Sequence, residues 1–339
     1  MNLKNLTQQE IAGILKELGQ PAFRAKQVFT WLHKGVRSYD EMSNLPKSFR
    51  EKLKETADYR LPKIEQKYVS QIDGTVKYLF QLDDGETVES VLMNYKHGWS
   101  QCLSTQVGCK MGCTFCATGM GGFIRNLSAA EMIGQIEAAQ QDTGVRVSSI
   151  VLMGMGEPLD NLEELLKALR ILTESWGMAW SPRRITVSTI GYRPGLRRFI
   201  EETECHLALS LHAPYPEQRG EVMPVEKAFP IKELLATLRE YDWSHQRRLS
   251  FEYIVFRDFN DSIKHADALV KLLGGIPCLV NLIRFHAIPG VDLKTSDMTQ
   301  IEAFRDRLNE RGVTATIRAS RGEDIFAACG MLSTKKLKS

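Results

Sequence analysis

From Trp99 to Arg318 the chain alternates between short β-type runs and amphipathic helical stretches. Candidate strands fall at 101–106, 149–153, 185–189, 206–211, 250–256, 279–285 and 314–318. Candidate helices at 129–142, 161–175, 195–203, 231–242, 262–274 and 298–311 lie between most of them, with apolar residues at helical spacing. Such alternation makes the strands run parallel, because each crossover helix returns the chain to the same edge of the sheet. About six βα units fall short of a closed eight-fold barrel. The sequence therefore predicts an α/β fold with an open, partial (β/α)6 barrel. Ser128 with Glu131 forms a capping box for the first crossover helix.

The residues before Trp99 are organised differently. Stretches 8–18, 23–33 and 47–56 read as helices, with Leu45-Pro46 breaking the pattern between the last two. The period then changes to two. Runs at 67–71, 76–81 and 87–93 are separated by Asp73-Gly74 and Asp84-Gly85, a hairpin signal that predicts a three-stranded antiparallel meander. The expected organisation is a helical accessory domain at 1–62, a meander at 63–95, the barrel with a C-terminal cysteine segment at 96–332, and a basic tail at 333–339.

Of the 339 residues, 43% are hydrophobic and 25% charged, which excludes a disordered, collagen-like or small disulfide-stapled chain. No run approaches the roughly 18–20 apolar residues of a membrane helix. The polar start MNLKNLTQQE has no apolar segment of the signal-peptide kind. A cytoplasmic protein with no membrane partner is expected, and the lack of a long apolar seam predicts a monomer. Net charge is +3, but residues 1–63 carry 12 Lys/Arg against 7 Asp/Glu, and the tail has Lys335, Lys336 and Lys338 with no acid. Basic ends suit a phosphate-rich partner, and a plain solvated surface gives the same pattern.

Four of the seven cysteines lie within fifteen residues: Cys102, Cys109, Cys113 and Cys116. The last three are spaced C-x3-C-x2-C on a glycine-containing loop after the first barrel strand. Thiolates so placed can converge on one metal centre, and soft sulfur selects zinc, copper(I) or an iron–sulfur cluster. Three cysteine ligands on a cubane leave one iron open to a small molecule. A structural zinc with Cys102 as fourth ligand is the rival reading, although four-cysteine zinc sites usually consist of two close pairs. An odd cysteine count argues against a disulfide framework.

This spacing, after the first strand of a partial barrel, resembles the radical S-adenosylmethionine superfamily. Gln106-Val-Gly-Cys109, Cys113-Thr-Phe-Cys116-Ala-Thr-Gly119 and Arg125-Asn-Leu127 further resemble the RlmN/Cfr family of RNA adenine methyltransferases. So do Met153-Gly-Met-Gly-Glu-Pro158, Ser188-Thr-Ile-Gly191, Ser210-Leu-His-Ala-Pro214, Asn281-Leu-Ile283 and Asp324-Ile-Phe-Ala-Ala-Cys-Gly330. The resemblance runs from about Phe23 to Leu332. It implies one [4Fe-4S] cluster on Cys109, Cys113 and Cys116. It also implies S-adenosylmethionine, two per turnover, held by Gly156, Glu157, Ser188, Ser210, Leu211, His212 and His286.

The resemblance further implies that Cys329 is methylated by one S-adenosylmethionine. The second is cleaved at the reduced cluster to a 5′-deoxyadenosyl radical, which takes hydrogen from that methyl. The methylene radical then adds to the base. Such a carrier makes chemical sense, because C2 and C8 of adenine are electrophilic amidine-type carbons that do not attack a sulfonium methyl. Cys102 matches the cysteine that forms a disulfide with the carrier, and Glu89 matches the proton acceptor. The implied partners are 23S rRNA, tRNA or both, and a reducing donor such as flavodoxin. Trp31, Lys34, Arg37, Lys47 and Arg50 are candidate RNA contacts of the accessory domain.

Several positions depart from the RlmN pattern. Ile190 stands at a usual serine, His286 at a usual asparagine, and Phe326 and Met331 at the usual Asp and Gln around Cys329. C2 and C8 methylation, another radical substrate and a zinc-stabilised RNA-binding module therefore stay open at this level.

Overall fold

The computed structural model describes residues 2–36, 38–57, 60–243, 248–288 and 290–327. Cys329, Met331, Arg37 and the basic tail lie outside them. The chain opens with helices α1 (Gln8–Glu17), α2 (Phe23–His33) and α3 (Lys47–Thr56). Thr7 and Glu10 form a reciprocal capping box at the start of α1. The meander follows as β1 (Lys63–Val69), β2 (Val76–Gln81) and β3 (Thr87–Tyr95). Its pairs close at Val69 with Val76 and at Gln81 with Thr87. Asp73-Gly74 and Asp84-Gly85 thus sit inside longer loops rather than forming two-residue turns, and β1 begins four residues before the predicted run.

The first barrel strand corrects the sequence reading. Strand β4 (Gly98–Cys102) ends at the second residue of the predicted run, and Gln106–Gly108 forms a separate strand, β5. Strand β5 leaves the main sheet to pair with β6 (Phe123–Asn126), which has no clear period-two signal. Between them lie the cysteine loop and the single turn α4 (Ala117–Met120). Helix α5 (Ala129–Thr143) opens on the predicted Ser128–Glu131 capping box. The alternation then runs through β7 (Val147–Leu152), α6 (Leu162–Thr173), β8 (Ile185–Thr189), α7 (Arg193–Glu202) and β9 (His206–Ser210).

A short helix α8 (Pro216–Val222) precedes α9 (Ile231–Leu238), which ends four residues before the prediction. Strand β10 (Leu249–Val255), α10 (Ile263–Leu273), β11 (Leu279–Arg284), α11 (Met298–Glu310) and β12 (Thr314–Ile317) complete the order. Among the described residues seven strands are parallel, in the order β4-β7-β8-β9-β10-β11-β12, with six crossovers and no closure. The open partial barrel is therefore as the alternation predicts. Strand β3 pairs antiparallel with β4, so meander and barrel form one ten-stranded sheet.

One apolar cluster runs from Leu3 and Phe29 of the N-terminal helices through Ile133 and Ile136 of α5 to Phe304 and Ala315. A buried ion pair lies within this junction, between Lys4 and Glu137 of α5. His33 of α2 lies 3.6 Å from the same carboxylate. Burial lowers the proton affinity of His33, so it is a poor substitute for the lysine cation. Lys4→Met should leave the carboxylate buried without its countercharge. The expected cost is about 3–5 kcal/mol, read as a lower urea midpoint at unchanged slope.

Candidate active site

A cavity of about 230 Å³ opens at the carboxyl ends of the parallel strands. Cys109, Cys113 and Cys116 face it from the loop between β5 and α4. Gly156 and Glu157 reach it from the loop after β7, Ser188 from β8, and Ser210 and His212 from the end of β9. These side chains come from distant stretches of sequence. They meet because parallel strands all present their carboxyl ends at one edge.

Both Gly154 and Gly156 are needed where they stand. A Cβ on Gly154 would lie 2.6 Å from the Leu103 carbonyl, and one on Gly156 would lie 2.6 Å from Gln106 Cβ. Gly156 also has φ +104°. Around them, Gln106 Oε1 accepts from the Glu157 N–H at 2.8 Å, and Ser104 Oγ accepts from the Met155 N–H at 2.9 Å. The loop after β7 is thereby held against the chain that leads into the cysteine loop.

Glu157 is buried, and its carboxylate accepts from Thr189 Oγ1 (2.6 Å), Ile190 N (2.9 Å) and Leu159 N (3.0 Å). It therefore clamps the end of β7 to the end of β8. Burial pushes its carboxyl up to about 7 despite those donors. His212 has φ +59°, a conformation held by Asn260 Nδ2 donating to the His212 carbonyl at 2.7 Å. Its Nδ1 accepts from the Ile254 N–H at 3.0 Å. Burial, and then Arg219, lowers its pKa to about 3, so the ring is neutral and carries its proton on Nε2. It offers the cavity a donor braced edge-on by Phe115.

The donor set fits an iron–sulfur cluster. Burial pushes the Cys109 thiol up to about 12 and raises Cys113 as well, so a cationic metal core is what makes the thiolates favourable here. Among the described residues no three His, Cys, Asp or Glu side chains converge as ligands of a single ion. Cys102 does not line the cavity and packs instead with Val91, Met93 and Ala327. The four-cysteine zinc arrangement therefore loses its fourth ligand.

Other candidates lie outside the cavity lining. Leu211 is in the core, its N–H bonded to the Glu252 carbonyl. His286 is exposed and lies 3.2 Å from Ser320 Oγ. Glu89 is buried on β3, 2.9 Å from Lys77 Nζ. Met153 joins the two regions, since it lines the cavity and also packs against the group around Cys102. Cys329 itself is outside the described residues; Ala327, two residues earlier, packs in the Cys102 group.

Three polar residues escaped the sequence reading. Arg219, buried on α8, pairs with Glu226 and donates to the Ile190 and Ser210 carbonyls, tying together the ends of β8 and β9. Arg318 lines the cavity next to Met153. Glu252 on β10 accepts from Asn281 Nδ2 at 2.8 Å through Oε1, while its buried Oε2 has no protein partner. The lone acid in the apolar run Leu249–Val255 was the available signal for Glu252.

This geometry has known counterparts. Residues 1–58 match the ribosomal RNA large subunit methyltransferase N-terminal domain, and residues 103–270 match the radical SAM superfamily. A probable dual-specificity RNA methyltransferase RlmN from Parabacteroides distasonis is 54% identical, over 98% of this chain and 97% of that one. The chain belongs to the RlmN family of the radical S-adenosylmethionine superfamily. An Alkaliphilus metalliredigens relative of the same description is 45% identical over 99% of this chain and 96% of its own. The crystal structure of a radical SAM methyltransferase from Sphaerobacter thermophilus superposes with TM-score 0.91 at 41% identity, covering 98% of each chain.

Membership implies a [4Fe-4S] cluster and S-adenosylmethionine; of the residues lining the cavity, the cysteine loop would hold the first and the loops after β7, β8 and β9 the second. Gly156→Ala should weaken S-adenosylmethionine binding to the cluster-loaded protein by about tenfold or more, measured by equilibrium dialysis. Folded His212 holds off a proton until about pH 3 and the unfolded residue takes one near 6.5. Stability should therefore fall as pH drops through that window. The His212 ring resonances, followed by NMR, should stay constant from about pH 8 to about pH 5.

Proposed function

We propose that this enzyme methylates C2 of an adenosine in 23S rRNA and in tRNA through a methyl-cysteine carrier. The coarser activity, a radical S-adenosylmethionine-dependent RNA methyltransferase of the RlmN type, comes with the family. The observation that carries the finer reading is the placement of two regions side by side. One is the cavity lined by three thiols and the loops after β7, β8 and β9. The other is the Cys102 group, which receives Ala327 of the cysteine segment and shares Met153 with the cavity.

In this reading the Cys329 thiolate displaces S-adenosylhomocysteine from one S-adenosylmethionine and keeps its methyl. The cluster with a second S-adenosylmethionine, when bound, supplies the radical that activates that methyl. Glu89, paired with Lys77, takes the proton from adenine C2 once the carbon–carbon bond exists, and the oxidised cluster, when bound, would take up the odd electron of the adduct. The Cys102 thiolate attacks the Cys329 sulfur, forming a disulfide, and the released base carbon gains a proton to become methyl. A reducing protein such as flavodoxin supplies electrons.

RNA docks partly on the N-terminal helices. Lys34 lies 5.6 Å above the Trp31 ring there, and Lys47 is exposed on α3. Arg50 also lies on α3 and donates to the Asp40 carbonyl. The enzyme acts as a cytoplasmic monomer; no described helix is long and apolar enough to cross a membrane.

Anaerobic reaction of the reconstituted enzyme with 23S rRNA fragments and bulk tRNA, followed by nucleoside mass spectrometry, should yield 2-methyladenosine. Cys329→Ala should abolish that product while keeping the cluster absorbance. 8-Methyladenosine as the product would overturn the C2 assignment, and turnover by Cys329→Ala would overturn the carrier.

A further inference from the structure

The segment leading to Cys329 docks on the meander through several polar contacts. Asp324 accepts from Ser70 Oγ (2.6 Å) and from Gln71 N (2.8 Å), both beside the β1–β2 turn. Asp73 in the same turn accepts from Gly322 N at 3.1 Å and lies 3.8 Å from Arg321 Nη1. One further contact differs from these in kind. Lys77 of β2 is wholly buried, and its Nζ donates to the Phe326 carbonyl at 2.6 Å while lying 2.9 Å from Glu89 Oε2.

A buried lysine facing one carboxylate and one carbonyl at these distances is a point charge with a fixed address. Removing a charge from such a pair strands its partner. Among the described residues, Ser104 Oγ donates to the Glu89 carbonyl, and Met155 Sδ accepts from its N–H at 3.4 Å. Leu79 of β2 stands opposite Glu89 in the sheet register. Cys102 of β4 stands opposite Val91, two residues along β3. The charges of Asp73, Arg321 and Asp324 are engaged at the turn.

We propose that Lys77 is a positioning residue for the methyl transfer. Its ammonium fixes the position of the Glu89 side chain that accepts the adenine proton, and it anchors the chain three residues before the methyl carrier. Both jobs use one ammonium group. Proton acceptance and carrier docking are thereby referred to the same point on β2. The inference rests on the reading of Glu89 as proton acceptor and goes beyond it, since that reading assigns nothing to Lys77. The proton leaving adenine ends on Glu89.

Three substitutions separate the jobs. Lys77→Gln can still donate to the Phe326 carbonyl but removes the charge beside Glu89. Lys77→Arg keeps the charge, and Lys77→Met removes both functions. Two quantities are followed in the cluster-loaded enzyme: methyl loading of Cys329, by peptide mass spectrometry, and RNA methylation rate against pH. Lys77→Gln should load Cys329 normally yet methylate RNA at least about tenfold more slowly near neutral pH. Its acid limb should move up by about one pH unit or more, the direction expected when a cation beside a carboxylate is removed. The rate should recover at higher pH, and Lys77→Arg should restore the original limb. A merely structural lysine would produce neither recovery.

Glu89→Gln serves as the reference. If it methylates RNA at the full rate, the proton-acceptor reading fails and this inference with it. If it is impaired while Lys77→Gln keeps the full rate and the original limb, this inference alone is overturned. Should Lys77→Met fail to fold, the glutamine and arginine variants decide the matter.

Discussion

Strand β3 runs antiparallel to β4 with Val91 opposite Cys102, and through that ladder the meander and the parallel strands become a single sheet. Much else hangs on this pairing. It sets Glu89 on one strand and Cys102 on the next, within the same sheet. It also leaves the β1–β2 turn where the segment at 321–327 can bind to it. The proposed reaction depends on that rigidity, because a displacement of about 1 Å already costs large factors in rate.

The parallel half of the sheet does a different job. Its strands deliver backbone loops to one edge, and buried polar side chains lock those loops together. Glu157 joins the ends of β7 and β8, Arg219 joins β8 to β9, and Ser104 bonds both the Glu89 carbonyl and the Met155 N–H. Each of these groups would be costly to bury without its partners. The result is a cavity whose walls are tied together by the protein's own hydrogen bonds, with neutral His212 presenting a donor and the Glu252 carboxylate an acceptor. Such preorganisation lowers the cost of holding a reactive intermediate away from water.

Much of this was legible in the residues. The strand–helix alternation implied an open parallel sheet, and Ser128 with Glu131 marked the start of α5. The C-x3-C-x2-C loop and the motifs at Gly156, Ser188 and Ser210 implied one site at the carboxyl edge. What escaped had weak local signals. Strand β6 is four residues long and mostly exposed, so it shows no buried alternation. Helix α8 is one of the shortest in the chain, with proline at its first position. Arg219 lies on it, and a buried arginine is indistinguishable in sequence from a solvated one.

Lys77 and Glu89 show where the boundary falls. Sequence alone determined that both stand on β-type runs twelve residues apart. It could not say that the two side chains face each other across β2 and β3, or that a carbonyl from residue 326 meets the same ammonium. Local propensity and periodicity act over a few residues and set the elements. Contacts across some 250 residues of chain are decided only when the sheet closes, because burial and charge pairing depend on which elements end up side by side.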